Sequence, residues 1–368
     1  MNRYVLLTLV LVCSNAVMSA PACPCSDTSL CTPLTTPPRP EFFGFTMNAE
    51  YEQFDWSILT TVALFGDNPP QLVCVAHSHD VRLVVGVGYP IDQLGNVTAQ
   101  DIWIQQQLEM VQNNFYDGIN FDVEEPIWPD QPLTSALLTA LIAQTNYVFK
   151  AANPNYQVTA DVAWSPNCID GRCYDYFGMS QATDFLVVMD YDLRSQVITD
   201  QCTASANSPL DLVMQGMINF TNVGVPVDKL VMGVPWYGYF YPCLGDSLNI
   251  ENLICPIPLV PFRGVNCSDA AGRQYGFNQI IELQSNESIV QTGELWSAEF
   301  SSPFFNFIGD GQLYQVWYDN PESLSIKVAM AKKMGLRGVS VWALDYVTSS
   351  SQPTPSKMMW DAMGSFFS

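Results

Sequence analysis

The chain has 368 residues, 48% of them hydrophobic, and its 14 Lys and Arg against 36 Asp and Glu give a formal net charge of −22. That length accommodates one large domain with an insertion, or two modest domains, and it allows a sizeable core. A surface so acidic repels nucleic acid and anionic lipid, which excludes both as expected partners and favours neutral or cationic ones.

The N-terminus predicts an export signal. Arg3 precedes an apolar run at residues 4–13, and small residues follow at Ala20 and Ala22. The run is too short to span a bilayer and its flanks are those of a signal peptide, which we place at residues 1–22. Since no second long apolar segment follows, we expect a mature protein that is soluble.

Cysteine usage agrees with an oxidising compartment. Once Cys13 leaves with the signal, ten cysteines remain, and an even number in an exported chain predicts disulfides. Cys168 and Cys173 could close a short local loop. A metal site at Cys23-Pro-Cys25 is the weaker interpretation, because no CxxC or histidine lies at zinc spacing, and we expect neither metal nor cofactor. Four sequons, at Asn96, Asn219, Asn266 and Asn286, also fit a glycosylated protein.

After a Cys- and Pro-rich arm at residues 23–41, short apolar runs alternate with segments of helical period. Eight runs are predicted as strands: Phe42–Thr46, Thr61–Phe65, Val81–Val87, Gly118–Glu124, Gln157–Ala163, Phe185–Tyr191, Leu230–Pro235 and Gly338–Trp342. Helical period places Leu133, Leu137, Leu138, Leu141, Ile142, Thr145 and Val148 on one face. Eight buried strands alternating with helices predict an α/β fold, the (β/α)8 TIM barrel, with functional sites at the carboxyl ends of the strands.

A doubly wound sheet would show a similar alternation. It usually carries a Gly-rich phosphate turn after its first strand, and Phe42–Asn48 has none. The rhythm breaks at residues 236–316, between the seventh and eighth strands, where three cysteines accompany prolines, glycines and short β-like runs. We therefore predict one catalytic barrel over residues 42–368, with an insertion at residues 236–316 on its top face.

The strongest chemical signal is the segment Asp117-Gly-Ile-Asn-Phe-Asp-Val-Glu124 in the fourth strand. Alternate residues of a strand face opposite sides, so Asn120, Asp122 and Glu124 share one face. Two adjacent carboxyl groups inside a barrel are costly unless they share protons, and their coupling raises one pKa, as a general acid requires. Glu124 comes last, at the mouth, and is the predicted acid. A polar network without function is the alternative, but acidic residues are seldom buried without one.

This segment resembles the DxxDxDxE signature of glycoside hydrolase family 18, the chitinase family, with Asn120 in place of the middle Asp. Further matches end the sixth, seventh and eighth strands, at Met189–Asp192, Gly233–Gly238 and Gly338–Trp342. The resemblance is closest to a lysosomal branch of the family, which shares the Asn variant and the segments at residues 161–166, 260–264, 267–274 and 315–321. It extends from about residue 23 to residue 360.

The resemblance implies a retaining hydrolase of β-1,4 bonds beside N-acetylglucosamine, in the chitobiose core of N-linked glycans or in chitin oligosaccharides. Such enzymes use no protein nucleophile, because the acetamide oxygen of the substrate attacks C1. Glu124 would protonate the leaving oxygen and then activate water, while Asp122 would hold the acetamide N–H. Tyr191 would bond the acetamide carbonyl, Asp192 would position the sugar, and Trp342 would form an apolar floor beneath the ring.

Asn120 and Trp236 complete the set of candidate sugar contacts, although Asn120 cannot pass a proton inward as an Asp could. Two related functions compete with the predicted one. A chitinase-like lectin would be expected to lose the acid at Glu124, and an endo-chitinase acting on polymer often carries a chitin-binding module. We expect a monomer that acts on N-acetylglucosamine oligosaccharides in the lysosome lumen, with an extracellular location as the alternative.

His77 and His79 are the only histidines, so a Ser-His-Asp triad would require one of them. No GxSxG elbow accompanies them. The pair could contact a metal, but no clustered third ligand is evident, and a solvated turn is the preferred interpretation.

Overall fold

Eight parallel strands close into a barrel in the computed structural model, which describes residues 21–47, 50–198, 201–245, 247–348 and 353–368. They are β1 (Glu41–Thr46), β2 (Thr61–Leu64), β3 (Arg82–Val87), β4 (Gly118–Phe121), β5 (Gln157–Ala163), β6 (Phe185–Met189), β7 (Leu230–Pro235) and β13 (Gly338–Trp342). Around the barrel their order is β1-β13-β7-β6-β5-β4-β3-β2. The predicted barrel is confirmed, whereas the predicted signal peptide lies outside the described residues except for its last two.

Helices follow the strands and pack on the outside of the barrel. They are α1 (Leu72–Ser78), α2 (Val97–Asn113), α3 (Pro132–Ala152), α4 (Tyr176–Ala182), α5 (Leu210–Asn222), α6 (Phe277–Gln284), α7 (Pro321–Met334) and α8 (Pro353–Gly364). Over the described parts of the chain, none of these helices is long and apolar enough to cross a bilayer.

The face predicted for α3 is wrong at its first turn. Leu138, Leu141 and Ile142 are fully buried, but Leu133 is 72% exposed. The reason is rotation, because the five residues from Leu133 to Leu138 turn the side chain about 140° away from the buried face.

The barrel interior has polar and apolar layers. Glu41, Thr61 and Gln157 are buried at the amino ends of the strands, where hydrogen bonds join them. Phe43, Phe45 and Phe185 lie above them and pack in edge-to-face contacts. Gly118 begins β4 with φ at +149°, and a Cβ there would lie 1.8 Å from the carbonyl oxygen of Gln157, so only glycine fits. The residues above it on the interior face of β4 are polar.

The fourth strand is shorter than predicted, ending at Phe121 rather than Glu124. One more ladder bond follows, from the Asp122 amide to the Val87 carbonyl at 2.8 Å. Beyond it the hydroxyl of Tyr174 donates to the carbonyls of Val123 and Glu125, at 3.1 and 2.5 Å. These backbone carbonyls are therefore bonded by a side chain instead of by a neighbouring strand. The sixth strand likewise ends early, at Met189. Both strands therefore end just before the residues that carry the predicted catalytic side chains.

The insertion between β7 and β13 forms a second sheet. Its strands are β8 (Tyr237–Pro242), β9 (Arg273–Gly276), β10 (Leu295–Ser297), β11 (Ser302–Gly309) and β12 (Gln312–Trp317), in the antiparallel order β10-β11-β12-β8-β9. The disulfide Cys243–Cys255 lies within the insertion, and Cys202–Cys267 ties it to the chain that follows β6. The sheet therefore forms a fixed wall above the carboxyl ends of β6 and β7.

The N-terminal arm is fastened to the bottom of the barrel by disulfides and hydrogen bonds. The disulfides Cys23–Cys31 and Cys25–Cys74 leave no free thiol at the candidate metal site. Asp117, the first acidic residue of the signature, is fully buried and accepts from the backbone amides of Leu34 and Leu83, at 2.7 and 2.8 Å. Asp117 therefore ties the arm to β3 and lies at the end of the barrel opposite the predicted site.

His77 completes this attachment, and the predicted solvated turn is wrong. Its ring is buried in α1, with Nδ1 2.6 Å from the Leu30 carbonyl and Nε2 2.9 Å from a carboxylate oxygen of Asp117. Burial by itself lowers the pKa of His77, but the bond to Asp117, its charge and the Leu30 carbonyl outweigh burial and raise the pKa. Both ring nitrogens face acceptors, so the imidazolium form fits best.

The free energy of unfolding is therefore expected to fall as pH rises above neutrality. A raised folded-state pKa stabilises the fold fully below the unfolded pKa of about 6.5, and this stabilisation is lost as pH rises through the folded value. Thermal unfolding of the wild type and His77→Gln should differ most at acidic pH and converge at alkaline pH. His79→Gln is the matched control, because His79 is exposed. A difference between His77→Gln and wild type that does not vary with pH would contradict the assignment.

Candidate active site

A cavity of about 510 Å³ opens at the carboxyl ends of the barrel strands. Glu124 follows β4, and Tyr191 and Asp192 follow β6, and all three line the cavity from the barrel side. Phe262 and Asp269 line it from the insertion. The structure thus brings three of the predicted site residues together in one enclosure, at the end of the barrel where sites of this fold lie.

Glu124 projects into the cavity and is ion-paired in the absence of sugar. Its side chain is 45% exposed, and Oε2 accepts from Nη1 of Arg172 at 2.8 Å. Arg172 is nearly buried and also bonds Asp170 at 3.1 Å, within the loop closed by the Cys168–Cys173 disulfide. Arg172 therefore fixes the position of the Glu124 side chain at the mouth of the cavity.

Two walls of the cavity meet beside Glu124. Nη1 of Arg263, from the insertion, lies 4.0 Å from both the Glu124 and the Asp170 carboxylates. Its guanidinium lies over the ring of Phe262, 5.3 Å from the centroid. The insertion and the loop after β5 therefore approach each other closely enough to bound the cavity at this end.

Asp122 is the carboxyl group whose pKa the site raises. Burial, and then the charge of Glu124, raise the pKa of Asp122 to about 6, while Arg172 opposes the shift. Its Oδ1 is buried and has no hydrogen-bond partner within the described ranges. The buried Asp122 therefore depends on neighbouring groups, rather than on water, to stabilise its charge.

Hydrogen bonds from two tyrosines hold the side chain of Asp192 in place. Its Oδ1 accepts from the hydroxyls of Tyr237 and Tyr239 at 2.6 and 2.9 Å, and its backbone amide donates to Oδ1 of Asn207 at 2.8 Å. These bonds hold Asp192 in the left-handed region, at φ +60°. Burial raises the pKa of Asp192, and the two tyrosine bonds oppose that rise.

Tyr191 presents a neutral phenol to the cavity. Burial is the main cause that raises its pKa well above the ordinary value, and Asp161, Asp192 and Asp122 add to it through their charges. Its ring packs edge to face on Tyr237, with centroids 6.0 Å apart. A neutral hydroxyl held in this way is suited to donate a hydrogen bond to a carbonyl oxygen.

Trp342, the last residue of β13, lies over the apolar interior of the barrel. Its ring packs on Phe45 and Phe65, with centroids 5.1 and 5.5 Å away. The side chain is partly exposed, and a cis peptide bond joins it to Ala343. Trp342 therefore offers a supported aromatic surface at the mouth of the barrel.

Two predicted sugar contacts are wrong. Asn120 is fully buried below the cavity, where it bonds Asp161 and Thr159. Trp236 is also fully buried, and it packs on Trp360 outside the barrel, with centroids 4.8 Å apart. Strand alternation explains the second error, because Trp236 shares the outward parity of β7 residues such as Val234.

Sequence reasoning assigned no role to several residues of this site. Arg172 lies in the short disulfide loop, and Arg263 and Asp269 lie in insertion segments that resemble the family. Asp269 is buried against the cavity, and burial, followed by the charge of Asp192, raises its pKa to about 7. The shared segments were the available signal, but only folding shows that they converge on Glu124 and Asp192.

These features define the class of protein. A (β/α)8 barrel carries paired acids after β4 and a tyrosine and an aspartate after β6, and Glu124, Tyr191 and Asp192 of this set line one cavity at the carboxyl end of the barrel. The sequence profile of glycosyl hydrolases family 18 matches residues 77–346, and the chain belongs to this family of glycoside hydrolases.

Relatives within the family are similar over nearly the whole chain. "Probable di-N-acetylchitobiase 2" of Dictyostelium discoideum is 50% identical over 352 residues, covering 94% of this chain and 91% of that protein. Di-N-acetylchitobiase of Mus musculus is 41% identical over 361 residues, covering 97% and 96%.

Solved structures share the fold at lower identity. A family 18 N-acetylglucosaminidase from Paenibacillus barengoltzii superposes with a TM-score of 0.66 at 17% identity, covering 89% of this chain and 100% of that one. A class V chitinase from Nicotiana tobaccum gives 0.68 at 15% identity, with the same coverage. At such identities the likeness shows the fold alone.

Proposed function

We propose that the chain hydrolyses the β-1,4 bond of di-N-acetylchitobiose, with retention and with assistance from the substrate's acetamide. The observation that carries the mechanism is the placement of Asp122 and Glu124 on one strand end, from which both approach the sugar from the same side. A protein nucleophile would need a carboxyl group on the opposite side of the scissile bond, about 5–5.5 Å from the acid.

The other carboxyl groups of the cavity are already engaged. Asp170 is paired with Arg172, Asp192 accepts from two tyrosines, and Asp269 accepts from the backbone amide of Arg194 at 3.0 Å. Each of them therefore already has a structural partner within the site. The acetamide oxygen at C2 of the sugar is tethered beside C1, so it reacts at high effective molarity.

The roles of the residues follow from their positions. Protonated Glu124 donates its proton to the glycosidic oxygen as the acetamide oxygen closes on C1, and it then takes a proton from the attacking water. Asp122 accepts the acetamide N–H and stabilises the positive charge that develops on the ring of the intermediate. Tyr191 donates to the acetamide oxygen, Asp192 fixes the sugar, and Trp342 supports its apolar face.

The size of the cavity favours a short substrate. A volume of about 510 Å³ lies in the range of pockets that bind small molecules. The approach of Arg263 to Asp170 bounds the cavity beside the acid. The relatives named as di-N-acetylchitobiases favour the same disaccharide class. The presence of Glu124 argues against a lectin, because a chitinase-like lectin would be expected to lose this acid.

A lysosomal location fits the same proposal. The predicted signal peptide, five disulfides and an acidic surface suit a protein that enters an oxidising compartment and works at low pH. Secretion to the outside of the cell is the alternative location.

Product analysis tests the proposed function. Purified enzyme should convert di-N-acetylchitobiose to N-acetylglucosamine, act on the tetrasaccharide one residue at a time, and leave insoluble chitin nearly untouched, with products resolved by mass. Early release of disaccharides from inside the polymer would instead identify an endo-chitinase. Tight binding of all three without any product would identify a lectin.

A further inference from the structure

A buried polar cluster beneath Asp122 contains a carboxyl group that the proposed mechanism does not use. Asp161 on β5 is 4% exposed, and its Oδ2 accepts from Nδ2 of Asn120 at 2.6 Å. Oδ1 of Asn120 accepts from the hydroxyl of Thr159 at 2.7 Å, which fixes the amide orientation. The other oxygen of Asp161 is buried without a hydrogen-bond partner among the described residues. A buried oxygen left unbonded is costly and requires an explanation.

Strand register places Asp161 beside Asp122. The last pair of the β4–β5 ladder joins Phe121 to Ala160, so the next residues along, Asp122 and Asp161, are neighbours. Adjacent strands lie about 4.8 Å apart, and both side chains share the interior parity. Asp122 also has an unpaired oxygen, since its Oδ1 is buried without a hydrogen-bond partner in the described part of the chain.

Two carboxylates cannot both be charged in this position at low cost, so one of them holds a proton. Burial is the main cause that raises the pKa of Asp161 well above its ordinary value, and the charge of Asp122 adds to it. Glu124 and Tyr191 also face Asp161, and neither is a cation. Asn120 cannot take the proton, because an amide does not ionise. Asp161 is therefore the neutral member of the pair.

We propose that Asp161 is a positioning residue for the hydrolysis, a neutral carboxylic acid whose O–H donates to Asp122 and holds that carboxylate toward the acetamide of the sugar. This rests on the proposed function. The proton stays on Asp161 throughout the cycle, no bond to it breaks, and the pair carries one negative charge on Asp122. The carboxyl group that the family signature places at position 120 is thereby supplied from the neighbouring strand.

Asp161→Asn and Asp161→Leu separate this role from a structural one. The introduced amide can accept from Asn120 and donate to Asp122, so kcat should stay within about threefold of wild type, with an unchanged pH profile. Leucine has no donor, so kcat should fall about tenfold or more, with a smaller change in KM. Loss of the donor disfavours the Asp122 carboxylate, so the profile of kcat/KM should move up by about one pH unit.

A double variant, Asn120→Asp with Asp161→Asn, carries the test if Asp161→Leu does not fold. It returns the acid to position 120 and leaves a donor at position 161, so it should keep kcat within about threefold of wild type, whereas Asn120→Leu with Asp161→Leu should not. Melting temperatures verify folding. Wild-type kcat and pH profile in Asp161→Leu, or a loss in Asp161→Asn as large as in Asp161→Leu, would overturn the proposal.

Wild type and Glu124→Gln, measured on di-N-acetylchitobiose in the same assay, keep the two proposals apart. If wild type does not cleave the disaccharide, the proposed function fails. If wild type cleaves it, Glu124→Gln does not, and the Asp161 variants match wild type, then only the role of Asp161 is wrong.

Discussion

Glu124→Gln is expected to keep the fold and sugar binding while lowering kcat on di-N-acetylchitobiose by about 10² to 10⁴. Glutamine is nearly the same size, and its carbonyl oxygen can still accept the hydrogen bond from Arg172. It cannot deliver a proton to the leaving oxygen, nor take one from water. The effect should therefore fall on kcat, with KM close to that of the wild type, as steady-state kinetics would show.

Glu125→Gln is the matched control for this substitution. Glu125 is the next residue in the chain, its side chain is exposed, and it does not line the cavity. The same change of charge one position away should leave kcat unaltered. Wild-type turnover in Glu124→Gln, or an equal loss in both variants, would refute the acid assignment.

Removal of the acetamide from the substrate is expected to abolish turnover. De-acetylated chitobiose and cellobiose keep the β-1,4 bond but lack the group that attacks C1, and well-oriented intramolecular groups reach effective molarities of about 10⁵ to 10⁸ M. The other carboxyl groups that line the cavity, at positions 170, 192 and 269, are held by hydrogen bonds to structural partners. Product release from the three disaccharides, compared at equal enzyme concentration, measures the effect.

A thiazoline that mimics the oxazolinium intermediate provides the complementary result. It should inhibit cleavage of di-N-acetylchitobiose competitively, because it presents the same ring to Asp122 and Tyr191 as the intermediate does. Efficient hydrolysis of cellobiose, or a glycosyl ester trapped on any Asp or Glu, would refute substrate assistance while leaving the fold and the family unaffected.

The alternation of β4 shows how far a local pattern reaches. Period two in the sequence places Asn120, Asp122 and Glu124 on the interior face, and the structure agrees, with Ile119, Phe121 and Val123 packed on the outside. The same rule applied to β7 turns Trp236 outward, whereas the resemblance to a family segment implies a sugar contact. The structure agrees with local periodicity, because alternate side chains of a strand face opposite sides.

The pKa values of the paired acids depend on tertiary contacts that a local sequence pattern does not predict. Coupling between Asp122 and Glu124 predicts that the pKa of one of them is raised. The raised pKa is that of Asp122, and burial is its largest cause. Arg172 opposes this rise, although it lies 48 residues from Glu124 in the chain and contacts it only after the loop beyond β5 folds back. Charge placement across such a separation is a property of the fold.

The sequence by itself determined the barrel, the position of its insertion, the disulfide-rich character and the family, since each depends on local periodicity or on a contiguous motif. The tertiary structure alone decided the rest of the site. It brought Arg172, Asp192 and Arg263 to one cavity from three separate segments, placed Asp161 beside Asp122, and moved His77 to the opposite end of the barrel. These contacts join residues distant in sequence, and only closure of the barrel and docking of the insertion fix their distances and burial.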